Sequence, residues 1–157
     1  MQYKLIDSVI DLSVPVEKWD IDLWEVQDVL EGLPRYLGRT SRTVWQHSSD
    51  VAGKVDIRMR HKPYSSVARV RALFHDGSEA FTGDVPGPIK HLLGEGFALF
   101  ERRVQDRIYE LLEVDSARII RKYGSEALAD IVRTIKEADI EDFKEEQING
   151  IAPGRTI

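Results

Sequence analysis

The chain has 157 residues, 42% of them apolar and 31% charged, which suits one folded domain with one core and excludes a disordered segment. It has no cysteine, so disulfides and thiolate metal sites are excluded and any bound metal must rest on His and carboxylate ligands. The net charge of −5 argues against stable nucleic-acid binding and against attraction to acidic membranes.

Residues 1–18 read as a short irregular or extended segment packed on the domain. Tyr3, Leu5, Val9 and Leu12 alternate only weakly, and Pro15 opposes a long regular element. The start of the chain lacks the basic residues and long apolar stretch of a signal peptide, and no apolar run approaches the ~20 residues that span a bilayer. A cytoplasmic protein without a membrane anchor is expected. Helices begin near Asp20, with Ile21, Trp24, Val29 and Leu30 on one face, and Gly32 and Pro34 end the first of them. Residues 33–40 form a basic loop. Ser41 or Thr43 caps the next helix, which carries Val44, His47, Ser48, Val51 and Val55 along one side.

After a loop at 60–63, a third helix is expected from Ser65 to Phe81, with Val67, Val70, Leu73 and Phe74 inward. Its end at 82–88 holds two Gly and two Pro. Pro88 suits the first turn of a short helix through Leu93, which Gly94 and Gly96 interrupt. Phe97, Phe100, Val104, Ile108, Leu111 and Leu112 mark a long amphipathic helix. Ser116–Tyr123 forms another, and a last long helix opens at Ser125-Glu126. Strands are nearly absent. The reading is all-α: one helical bundle over residues 19–149, with a loose tail over 150–157.

The residues that carry chemistry are His47, the pair His75-Asp76, and Asp139, on three different predicted helices. One bundle can bring them to a common point. Two imidazoles and two carboxylates suit zinc, manganese, iron, cobalt or nickel better than calcium. Glu79, four residues after His75, falls on the same face of the predicted helix and is a candidate general acid/base. Asp84 lies just beyond, before Pro86 and Pro88, and is a candidate second proton carrier. Each has an ordinary structural use as well. Asp139 sits in an acidic helix with Glu137, Glu141 and Asp142, where solvent exposure is the default, and His61 and His91 read as surface histidines.

Three strings add to this: RTSRTVWQHS at 39–48, ALFHDGSEAFTGDVPGPIK at 72–90 and IKEAD at 135–139. Together they resemble the HD-domain phosphohydrolases. More narrowly, the second string, an HDxxEAxxxDxPxPxK block, resembles the branch that contains bacterial 5′-deoxyribonucleotidases and phage or prophage dATP triphosphohydrolases. The resemblance implies an HD-type helical bundle and a divalent transition metal held by His47, His75, Asp76 and Asp139. It implies catalytic roles for Glu79 and Asp84, phosphate contacts from Arg35, Lys90 and Lys136, and a base-holding apolar region near Pro88. Trp45 departs from the small residue usual at its place, which bears on base specificity.

A nucleotide substrate is therefore expected, with cleavage at the α-phosphorus. Lys90, His91 and Lys136, with Arg39 and Arg42 nearby, favour a dNTP of the dATP type, releasing deoxynucleoside and triphosphate. The alternatives are a 5′-deoxyribonucleotidase acting on dNMPs and a nucleotide-binding module without turnover. Ala80 after Glu79 argues against alarmone hydrolysis, which uses two adjacent acids there. The resemblance also implies a homo-oligomer, and a phage-encoded protein acting in the host cytoplasm fits it equally.

Overall fold

Helix signals and helix breakers divide the chain into short strands and seven helices in the computed structural model, which describes residues 2–4 and 8–152. In chain order these are β1 (Gln2–Lys4), β2 (Val9–Asp11), α1 (Leu23–Gly32), α2 (Val44–Met59), α3 (Ser65–Leu73), α4 (Glu79–Thr82), α5 (Gly87–Leu111), α6 (Ser116–Tyr123) and α7 (Ser125–Ile148). The fold is the expected all-α type, with one addition. The N-terminal segment is not wholly irregular, because β1 and β2 pair antiparallel as a small hairpin. The side chain of Tyr3, the residue Leu5 and most of the expected loose tail (153–157) lie outside the described residues.

Capping fixes the helix starts. Asp22 accepts hydrogen bonds from the Trp24 and Glu25 backbone N–H groups, so α1 begins slightly later than the pattern suggests. Thr43 caps α2: its hydroxyl accepts from Gln46 N, and the Gln46 side chain accepts from Thr43 N, a complete capping box. Asp115 caps α6. Gly94, at φ 78°, breaks α5 where the glycine pair placed the interruption.

Apolar faces pack into two adjoining clusters. Ile10, Trp19, Val26, Leu30, Val44, Phe74, Val104 and Ile108 build one; Val51, Val55, Met59, Ala68, Ala72, Ile119, Ile131, Ile135 and Ala138 build the other. Along α2, His47 falls between Val44 of the first and Val51 of the second, so the burial that forms the core also buries His47. Trp24 departs from the expected inward face and is 78% exposed.

The larger correction concerns the third predicted helix. The chain leaves helical geometry at Phe74 and resumes only at Glu79, so α3 and α4 are separate and His75 and Asp76 occupy a turn between them. Its buried side chains are Ala68, Arg71 and Ala72, while Val67, Val70 and Leu73 are half-buried. Gly77 sits in the break, tight against α5. A Cβ there would lie 3.0 Å from Ile108 Cδ1 and 3.0 Å from the Phe74 carbonyl oxygen, so α5 presses directly on this turn.

Candidate metal centre

Three segments meet at one point. His47 comes from the buried face of α2, His75 and Asp76 from the turn after α3, and Asp139 from α7. His47 Nε2 lies 2.9 Å from Asp139 Oδ1 and 3.6 Å from Asp76 Oδ2. His75 Nε2 lies 3.3 Å from Asp76 Oδ2 and 3.5 Å from Asp139 Oδ1. Ligand atoms ~2.0–2.2 Å from one ion stand ~3–3.5 Å apart, so this spacing is that of a coordination shell.

Both imidazoles are oriented from behind. His75 Nδ1 is 2.6 Å from the Ala72 carbonyl oxygen, an acceptor only, so Nδ1 donates there and Nε2 carries the lone pair. His47 Nδ1 is 2.7 Å from Asp142 Oδ2, the carboxylate partner that metal-ligating histidines commonly have. Buried His75 Nε2 makes no hydrogen bond of good geometry, although two carboxylates face it. A divalent cation fits His47, His75 and Asp139, whose ligand atoms all lie within 4.8 Å of one another, and Asp76 Oδ2 stands close to both imidazole nitrogens as a candidate fourth donor.

Without a cation, protons take its place. Burial opposes charge on His75, but Asp76 and Asp139 outweigh it and hold the imidazole at about 9. His47 is raised in the same way: burial works against its charge, and Asp139 and Asp142 overcome it. Asp139 is held well below the usual carboxylate range, because the two histidines outweigh the burial that would raise it.

Sequence reasoning missed the residues behind this point. Asp142 is expected on a solvated acidic face and Glu146 carries no expectation, yet they are 1% and 2% exposed. Asp142 accepts hydrogen bonds from Arg42 Nη1 (2.8 Å) and Lys54 Nζ (3.0 Å). Glu146 holds Arg35 in a two-pronged bond, 2.9 Å from Nε and 2.7 Å from Nη2, and accepts the Tyr36 hydroxyl at 3.0 Å. Arg42 Nη1 also reaches Glu146 at 2.8 Å. His47, Asp142 and Glu146 form a second compact group of potential ligands. Three cationic side chains already neutralise its two carboxylates, so a metal is favoured on the Asp76–Asp139 side of His47. The stripe Ile131, Ile135, Ala138, continued by one turn and then another, arrives at Asp142 and Glu146. That spacing was the available signal.

Glu79 opens α4 with its carboxyl buried, and its Oε2 has no hydrogen-bond partner. Burial, then repulsion from Asp76 and Asp84, pushes it up to about 9. Asp84 Oδ2 accepts the Tyr36 backbone N–H at 2.7 Å. Tyr36 and Leu37 have φ of 54° and 57°, left-handed values that Asp84 helps to hold. Beside them lies a cavity of about 460 Å³ lined by Arg35, Tyr36, Leu37, Asp84, Pro86 and Phe143. The remaining predicted contacts differ in kind. The Arg35 guanidinium is taken up by Glu146, and Lys90 pairs with Glu101 at 3.0 Å. Lys136 and Pro88 are exposed, Pro88 in the first turn of α5, and so are His61 and His91.

A family model described as 5′-deoxynucleotidase YfbR-like matches residues 39–144. The matched stretch holds every predicted ligand and both predicted acids; Arg35 precedes it. No curated protein matches the chain.

Proposed function

The chain belongs to the YfbR-like 5′-deoxynucleotidase family of HD-domain, metal-dependent phosphohydrolases, and from that premise we propose that it hydrolyses deoxynucleoside 5′-monophosphates to deoxynucleoside and inorganic phosphate. The family match favours this alternative over the dNTP reading expected from the basic residues alone. Of the cations counted toward a triphosphate, Arg42 is bonded to Asp142, Glu146 and Asp50 and Lys90 to Glu101, so the two are already engaged within the protein.

One observation carries the reading: two imidazoles and two aspartates from three separate segments converge, with both Nδ1 atoms engaged behind. His47, His75, Asp76 and Asp139 would hold the metal; once bound, it lowers the pKa of a coordinated water and polarises a phosphoryl oxygen. Zinc, manganese, cobalt, iron and nickel all suit the donor set. The water oxygen forms the new bond to phosphorus and the P–O5′ bond breaks. Glu79 is the proton carrier. Burial and the neighbouring Asp84 favour its protonated form, which gives the proton to the departing 5′-oxygen and is reloaded from the attacking water, so protons balance. Asp84, pinned by the Tyr36 N–H, supports the protonated state of Glu79 through its charge. It is thus assigned to holding that proton, in place of the donor role expected from sequence. The nucleoside occupies the cavity beside Tyr36 and Leu37.

Among the described residues no helix is long and apolar enough to cross a membrane; action in the cytoplasm, without nucleic-acid binding, is part of the same proposal. So is a homo-oligomer, whose second copy would cover the exposed Ile89, Leu92, Leu93 and Leu99 of α5. The test is incubation with Mn²⁺ or Co²⁺ and a panel of dNMPs, NMPs and dNTPs, with phosphate and triphosphate measured separately. Phosphate from dNMPs is expected. Triphosphate from a dNTP restores the other reading, and absence of any product leaves a binding module.

A further inference from the structure

The turn that carries His75 and Asp76 lies between α3 and α4, and its backbone bonds span three residues, not the four of an α-helix. His75 N donates to the Ala72 carbonyl at 3.2 Å, Gly77 N to the Phe74 carbonyl at 2.9 Å and Glu79 N to the Asp76 carbonyl at 3.0 Å. From outside, one side chain ties its two ends. Gln105, on α5, donates from Nε2 to the Phe74 carbonyl oxygen at 2.7 Å. Its Oε1 accepts the Ser78 backbone N–H at 3.0 Å. Phe74 and Ser78 flank His75, Asp76 and Gly77. The Gly77 contact with Ile108, one turn further along α5, presses the same turn against the same helix.

We propose that Gln105 is a positioning residue for the metal centre, a clamp that holds His75 and Asp76 at the separations described above. The inference rests on the metal reading. Chemistry restricts the side chain that can do this. The bonds run in opposite directions, so the clamp must donate with one atom and accept with its neighbour, which a primary amide does. An ionised glutamate only accepts, and lysine or arginine only donates. Asparagine is one methylene shorter. α5 supplies no predicted metal ligand, so Gln105 connects the centre to a helix outside it.

The test is cobalt(II) titration of the full chain, followed by visible absorption, for the parent and Gln105→Met, which keeps length and loses both bonds. The expected result is a Kd ~10–100-fold weaker, the usual effect of losing a residue that supports a ligand, with an altered visible band. The metal-free variant should still melt cooperatively. A merely structural role would change melting and leave the band alone. Parent-like affinity and band shape in Gln105→Met overturn the proposal. If Gln105→Met does not fold, Gln105→Glu is read in the same titration. It keeps the acceptor for Ser78 and loses the donor for Phe74, so weaker binding is expected and parent-like affinity overturns the clamp. A parent that takes up no cobalt overturns the metal centre and the clamp together, whereas a binding parent with an equally binding variant overturns the clamp alone.

Discussion

Asp142→Asn tests the buried support behind His47. The carboxylate accepts from His47 Nδ1 at 2.7 Å, Arg42 at 2.8 Å and Lys54 at 3.0 Å, so its charge is shared by three partners. Removing one member of a buried ion pair costs ~3–5 kcal/mol when the other is stranded. Here no cation is stranded: Arg42 keeps Glu146 and Asp50, and Lys54 keeps Glu145 at 3.0 Å. The stability loss of the metal-free protein should therefore fall lower, at ~2–3 kcal/mol. Metal binding suffers separately. An asparagine can turn its NH₂ toward Nδ1 and favour the tautomer with hydrogen on Nε2, the atom that faces the metal. Loss of such a support weakens affinity ~10–100-fold, or ~1.4–2.7 kcal/mol. Urea melts of the metal-free protein and a cobalt titration measure the two effects independently. Unchanged cobalt affinity, with the fold intact, would refute the claim that Asp142 sets the His47 tautomer.

Further expectations concern the acids, pH and backbone. Asp76→Ala should abolish both metal uptake and turnover, while Glu79→Gln should keep the metal and lose ~10²–10⁴ in kcat; metal analysis and initial rates separate them. In the metal-free protein, His75 and Glu79 are both raised to about 9, so the folded state holds more protons than the unfolded state. The His75 contribution is complete below its unfolded value of ~6.5 and disappears as pH rises through about 9. The Glu79 penalty grows with pH over a range that begins lower. Melting temperature should thus fall between pH 6.5 and 9 without metal, and saturating cobalt should abolish most of that fall. Glu113 has φ 61° just past the end of α5, where Val114 N donates to the Tyr109 carbonyl at 2.9 Å, a turn that favours glycine. Glu113→Gly should raise stability by ~1 kcal/mol in thermal melts.

Local signals were legible wherever a residue's role depended on its neighbours in sequence. A cap at Ser41 or Thr43, the buried stripe of α2, the Gly94 break and the start of α6 all follow from spacing within a turn or two. The proposed ligands His75 and Asp76 stood out because the HDxxEAxxxDxPxPxK block places them side by side, and His47 and Asp139 only through the two other strings of the resemblance. What escaped depended on distant contacts. The helix break at Phe74 falls where α5, about thirty positions away, packs on Gly77 and binds Ser78. Asp142 and Glu146 resemble their exposed acidic neighbours in composition and differ only in facing Arg35, Arg42, Lys54 and His47. The pairing of Arg35 with Glu146 escaped as well, because the two lie 111 residues apart.

Anomalous diffraction at the cobalt edge, from crystals grown with Co²⁺, addresses the centre itself. A single strong peak within bonding distance of His47 Nε2, His75 Nε2 and the Asp76 and Asp139 carboxylates is the result expected. No peak there, or a peak among His47, Asp142 and Glu146 instead, would contradict it.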